Sequence, residues 1–162
     1  MWGGLARGRI AGEVKRLHSR SLPGNMADWI DVDRVATSLP EVSLRTAKDG
    51  IRQWRLKDKP VAWERPLRKA DYEALGDSAP SGAILGVRTP DLIAKEALIA
   101  GDPEIYFTTP HFNGYPAVLV RLERIPLDQL EEAMVESWLH QAPKRVTRAW
   151  LQEHARDRPA SS

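Results

Sequence analysis

The sequence predicts an α+β fold of two layers, an antiparallel sheet of about five to six strands covered by helices. Three observations predict it. Strand-like segments come in runs interrupted by helical ones, in the order α-βββ-α-β-α-ββ-α-(α). The connections within the runs are hairpin-short, whereas a doubly wound parallel sheet needs long crossovers. A chain of 162 residues, 42% hydrophobic and 28% charged, fits one hydrophobic core. A single domain is therefore expected over residues 28–155, with a disordered tail over 156–162.

Taken in order, Asp31 is placed to cap a short helix whose Val32, Val35, Ala36 and Leu39 share a stripe, and Pro40 ends it. Ser43–Lys48, Ile51–Leu56 and Pro60–Glu64 follow, separated by Asp49-Gly50 and by Lys57-Asp58-Lys59, and read as an antiparallel meander. Alternation assigns Trp54 with Leu56, and Val61 with Trp63, to the inner face. Pro66 suits the first turn of a helix reaching Leu75, with Gly76 as its stop.

After the loop Asp77–Gly82, Ala83–Arg88 reads as a strand. Thr89-Pro90-Asp91 then starts a helix ending near Gly101, expected to send Leu92, Ile93, Leu98 and Ile99 into the core. Glu104–Thr108 is a short extended piece, and Pro110–Pro116 is rich in turn formers. Ala117–Glu123 has the clearest strand alternation, with Val118, Val120 and Leu122 on one side. Pro126 opens a long helix with Leu127, Leu130, Met134 and Trp138 inward and Glu131, Glu132 and Glu136 outside. A last basic helix, Lys144–His154, turns Val146, Trp150 and Leu151 inward.

Composition excludes several classes of chemistry. The chain has no Cys, so it holds no disulfide, thiolate zinc site or cysteine nucleophile. His18, His111, His140 and His154 are too dispersed for a metal motif. Gly82-Ala83-Ile84-Leu85-Gly86 lacks the Lys-Ser/Thr ending of a phosphate loop, and no serine sits in a nucleophile elbow. The acids Asp128, Glu131, Glu132 and Glu136 describe a solvated helix face. No catalytic residue, metal or cofactor is expected. No apolar run of about 18 residues suggests a membrane span, and no signal-peptide pattern opens the chain, so a cytoplasmic location is expected.

The net charge of +2 conceals an asymmetry. Residues 1–25 carry Arg7, Arg9, Lys15, Arg16 and Arg20 against Glu13, and Leu22-Pro23-Gly24-Asn25 closes them off before Met26. Residues 1–27 therefore read as an extension outside the domain, either a disordered tail or the product of a start upstream of Met26. Ile10, Val14 and Leu17 would also suit a short basic amphipathic helix.

Three pieces of the chain carry a resemblance: Leu39-Pro40-Glu41-Val42, Trp63-Glu64-Arg65-Pro66-Leu67, and the stretch Tyr106–Pro116 leading into Ala117–Leu122. From about Asp31 to Arg145 the chain resembles the MmcQ/YjbR family, and the helix closing on Trp138 and Ala142-Pro143-Lys144 fits that pattern. The resemblance implies a two-layer α+β fold similar to secretion chaperones, and a DNA-binding role of the kind commonly attached to the family. It implies no catalytic residue.

Function is expected from the stretch 45–69, where nine cations stand against three acids. Arg45, Arg52, Arg55, Lys57, Lys59, Arg65, Arg68 and Lys69 are the candidate phosphate contacts, with Lys144, Arg145 and Arg148 as a second cluster. The leading expectation is a nonspecific or weakly specific DNA-binding module that grips phosphate through its basic hairpins, as a monomer or homodimer. An adaptor or chaperone-like domain with a protein partner is the alternative. A small-molecule pocket around Phe107, His111, Phe112 and Tyr115 is the third. Trp54 and Trp63 interleave with the cations and would stack on exposed bases if they lay outside, but alternation assigns both to the core.

Overall fold

A computed structural model describes residues 26–156. The expected extension before Met26 and the tail after Arg156 lie outside the described residues. Among these, five α-helices and one sheet follow the predicted order. The helices are α1 (Trp29–Ser38), α2 (Lys69–Leu75), α3 (Leu92–Gly101), α4 (Leu127–Gln141) and α5 (Lys144–Arg156). The strands are β1 (Val42–Thr46), β2 (Arg52–Leu56), β3 (Lys59–Glu64), β4 (Ile84–Arg88), β5 (Tyr106–Phe107) and β6 (Ala117–Arg121). They form one sheet in the order β1-β2-β3-β4-β6-β5, every pair antiparallel.

Local chemistry sets the element ends. The carboxylate of Asp28, not Asp31, caps α1: it accepts from the Asp31 N–H at 2.9 Å, and Asp31 accepts from the Asp28 N–H at 3.1 Å. Asp49 accepts from the Ile51 N–H at 3.0 Å while Gly50 takes a positive φ, which closes the β1–β2 hairpin. α2 begins at Lys69, three residues later than Pro66 suggests. Asp91 caps α3 through the Ala94 N–H at 2.7 Å.

The sheet has two unlike faces. One carries Trp54, Leu56, Val61, Leu85, Val87, Val118 and Val120 into the main core, beneath α1, α3, α4 and α5. Trp138 of α4 and Trp150 of α5 meet edge to face at 5.3 Å there. On the other face Ile84, Phe107, Ala117 and Leu119 form a smaller cluster, closed by α2 and the short turn Pro110–Phe112. The β1–β2–β3 half of that second face is left open.

Three further expectations, all about burial, are corrected. Leu92 and Ile93 lie outside the core, 42% and 72% exposed, because α3 turns Ala94 and Lys95 inward instead, Lys95 onto the carbonyls of Phe112 and Tyr115. Glu131 is 2% exposed rather than solvated, because α4 is covered by α1 and α5 as well as by the sheet. Trp63 leaves the main core for the open face. The pairing passes from Trp54↔Ala62 to Arg55↔Pro60, so Val61 is an extra residue in β3, and the bulge reverses the parity of everything beyond it.

Candidate functional site: an aromatic and basic groove on the open sheet face

The bulge in β3 builds the site. It leaves Val61 and Pro60 with carbonyls that α4 satisfies: Ser137 Oγ donates to the Val61 carbonyl at 3.1 Å and Gln141 Nε2 to that of Pro60 at 3.1 Å. Held by these bonds, Val61 and Ala62 both face the main core and Trp63 turns to the other side. A row of paired residues then runs across that face: Arg45, Gln53, Trp63, Gly86, Leu119 and Phe107. Gly86 is the hinge of the arrangement. A Cβ there would fall 2.4 Å from the Trp63 ring, so the indole rests directly on bare backbone.

Around Trp63 lies a groove of about 690 Å³. Gln53, Arg55 and Pro60 form its floor toward β2, Arg68 stands at one rim, and His111, Phe112 and Tyr115 form the far wall. Phe112 is the buried pivot of that wall, 6.4 Å from Trp63 and 6.3 Å from Tyr115 between centroids. His111 meets its ring edge-on at 4.9 Å and is itself exposed.

Two buried charges hold the wall in place. Lys95 of α3, 5% exposed, donates to the carbonyls of Phe112 at 2.6 Å and Tyr115 at 2.9 Å. Burial lowers its pKa, against the opposing pull of Glu96. Arg65 lies over the Phe112 ring at 5.3 Å and pairs with Asp71 of α2 at 3.0 Å. Burial works against the Asp71 charge, yet the Arg68 N–H at 2.8 Å and the Arg65 guanidinium outweigh it and hold the carboxyl below its usual range.

The structure divides the predicted cations. Arg45, by register, and Arg55 and Arg68, as lining residues, belong to the groove face. Arg55 is braced, donating to Gln53 Oε1 at 2.8 Å and to the Asp58 carbonyl. Lys57 and Lys59 project from the β2–β3 turn, and Lys69 opens α2 beside Arg68; all three are exposed. Arg52 stacks on Trp29 and Trp54 on the helical side and is held bidentately by Glu64 at 2.9 and 3.1 Å. Arg65 is consumed by Asp71. Lys144, Arg145 and Arg148 ride on α5 in the helical layer, Arg145 lying 4.0 Å from Glu41.

Of the four residues expected to form a pocket, His111, Phe112 and Tyr115 line the groove. Phe107 does not line it: on the edge strand β5 it packs in the small cluster that also holds Phe112, under the Arg121 guanidinium at 4.4 Å. Trp63, which sequence reasoning assigned to the core, and Gly86 and Lys95, which it placed in no site, also contribute. Pro60 was the available signal for the first, since a proline inside a paired strand marks a bulge. Among the described residues no cluster of His, Asp and Glu is arranged to hold a metal ion, and no helix is long and apolar enough to cross a membrane.

No protein-family model matches the chain. It is 54% identical over 129 residues to uncharacterized proteins of Mycobacterium tuberculosis and Mycobacterium bovis, spanning 78% of this chain and 97% of each relative. Its fold is similar to the crystal structure of Deinococcus radiodurans protein DR2400, a DUF419 domain, with a TM-score of 0.55 at 20% identity, over 83% of this chain and 92% of that one.

Proposed function

We propose that this chain, which belongs to one family with these mycobacterial proteins, is a cytoplasmic DNA-binding module that holds the phosphate backbone along its groove face. The observation that carries the reading is the gathering of Arg45, Arg55 and Arg68 around the open β1–β2–β3 half of the second sheet face, beside an aromatic wall. Cations on a braced, concave surface position a polyanion and release its counterions. Membership of the MmcQ/YjbR family, read from Tyr106–Pro116, is part of the same proposal, and its DNA-binding label agrees with it.

The test is fluorescence anisotropy with labelled DNA, both duplex and single-stranded, at two salt concentrations. Three phosphate contacts predict that affinity falls about 20- to 40-fold between about 50 and 200 mM salt. Arg45→Glu with Arg68→Glu abolishes binding, whereas Lys144→Glu with Arg148→Glu on α5 leaves it nearly intact. Absence of binding to either form of DNA at the lower salt rejects the reading.

A second reading, a protein-interaction domain, is favoured by the exposed Leu92 and Ile93 at the start of α3. It predicts that Leu92→Asp with Ile93→Asp abolishes capture of a partner while DNA affinity stays unchanged.

A further inference from the structure

We propose that Trp63 is a stacking shelf for an unpaired base, so that the groove takes single-stranded DNA in preference to duplex. The inference rests on the DNA-binding reading and goes further, to the form of the strand. Two tryptophans of the meander stand in contrast. Trp54 is fully buried, its ring stacked at 6.3 Å on Trp29, its Nε1–H donated to Asp33 at 2.9 Å, and Arg52 lying over it. Every surface of that ring is used. Trp63 is half-buried, one side of its indole seated on the Gly86 backbone and its border against Phe112, and the ring lines the groove.

The seat is what makes Trp63 a shelf rather than a mobile side chain. Any residue larger than glycine at 86 would lift the ring off the sheet. The bulge that aims it is fastened by Ser137 and Gln141 from the opposite layer. A flat apolar surface held still at the bottom of a groove loses little entropy on receiving a planar ring. Tyr115, 38% exposed, and His111 extend the aromatic wall toward the rim. Arg55 and Arg68 line the groove and Arg45 joins them on the same face by register. Of the two acids in the lining, Glu64 is held by Arg52 and Asp49 sits at the β1–β2 turn, so a chain of phosphates can follow the cationic part of the rim while its bases turn inward. A duplex keeps its bases paired and stacked on each other, and offers the shelf only its sugar-phosphate edge. Several separated cations also suit a strand better than one free nucleotide.

The experiment uses the full chain and labelled strands of about 10 nucleotides, a length in the range of single-strand sites. One strand is oligothymidine, the second is an abasic strand with the same number of phosphates, and the third is a duplex. The proposal expects oligothymidine to bind at least about tenfold more tightly than the abasic strand, and more tightly than duplex. Trp63→Leu removes the preference for bases while abasic affinity stays as it was; Trp63→Phe, which preserves packing if the leucine variant does not fold, reduces it several-fold.

Equal affinity for oligothymidine and the abasic strand overturns the shelf and leaves the phosphate-binding reading standing. A base preference that survives both Trp63 variants also overturns it, as does displacement by thymidine monophosphate at the same concentration as the oligomer. Failure to bind any strand removes both readings together.

Discussion

The two faces of the sheet each bury a carboxylate, and they treat it differently. On the groove face Asp71, 3% exposed, has the Arg65 guanidinium at 3.0 Å and the Arg68 N–H at 2.8 Å. On the helical face Glu131, 2% exposed, has no hydrogen-bond partner on either carboxylate oxygen and borders a cavity of about 60 Å³ between α1, α4 and α5. The groove face therefore buries charge with compensation, because the ion pair also fixes the wall through Phe112. The helical face buries charge without it. Asp71 is held below the usual carboxylate range, whereas burial pushes Glu131 up to about 7, with Arg34 opposing and Asp128, Asp31 and Glu132 adding to the rise. Their contributions to stability must run in opposite directions with pH.

The largest expected effect comes from breaking the compensated pair. Asp71→Ala leaves the Arg65 guanidinium buried without its partner and should cost about 3–5 kcal/mol in urea denaturation. Replacing both, Arg65→Met with Asp71→Leu, should recover most of that loss, since neither charge then needs compensation. If the double variant is as unstable as the single one, packing rather than charge pairing is the source, and the contrast with Glu131 collapses. The sign with acid is also fixed. Asp71 has a lowered folded pKa, so its stabilisation is present above the unfolded value of about 3.9 and is lost as pH falls through the folded one.

Next in size is the uncompensated acid. Glu131 has a raised folded pKa, so the folded state keeps a proton that the unfolded chain releases, and stability falls as pH rises from about 4.5 to about 7. The full span corresponds to about 3 kcal/mol. Glu131→Gln keeps the shape without the charge, and should be more stable than the parent by up to about 3 kcal/mol at pH 8 and nearly equal to it at acid pH. Denaturation curves for both proteins at the two pH values decide it. A parallel pH dependence in the variant would show that Glu131 is not the titrating group.

The order of elements was legible because it is written in local signals: alternation in Ala117–Arg121, Asp-Gly at a hairpin, Pro and Asp at helix starts. So was the cluster His111, Phe112 and Tyr115, since contiguous residues in a turn-rich segment stay near one another whatever the tertiary fold. The bulge was not visible to alternation, which presumes an unbroken ladder; Pro60 was its one local signal, and the extra residue at Val61 moved Trp63 from one face to the other. Nor was the burial of Glu131 legible. A helix wheel describes one buried side, and α4 is covered from two further directions by α1 and α5. The inward turn of Lys95 depended on carbonyls of Phe112 and Tyr115 that lie far along the chain, and it displaced Leu92 and Ile93 outward. In each case the missing information was a contact across layers, and the local pattern was read correctly for an element in isolation.

The smallest effect sharpens the comparison by placing a third pair on the same scale. Arg52 and Glu64 are joined as closely as Arg65 and Asp71, at 2.9 and 3.1 Å, but their side chains are 32% and 20% exposed. Water therefore still reaches both groups. Hydrogen bonding to Arg52 lowers the Glu64 pKa against a smaller opposing contribution from burial, the reverse of their order at Asp71. If geometry alone set the value of an ion pair, Glu64→Gln would cost as much as loss of the Asp71 carboxylate. If burial sets it, a double-mutant cycle of Arg52→Met and Glu64→Gln should give a coupling of about 1 kcal/mol or less, and smaller again at high salt. Arg52 also lies over the Trp29 and Trp54 rings, so Arg52→Met should cost more than Glu64→Gln through lost stacking. A coupling as large as that between Arg65 and Asp71 would mean that burial does not separate the two pairs.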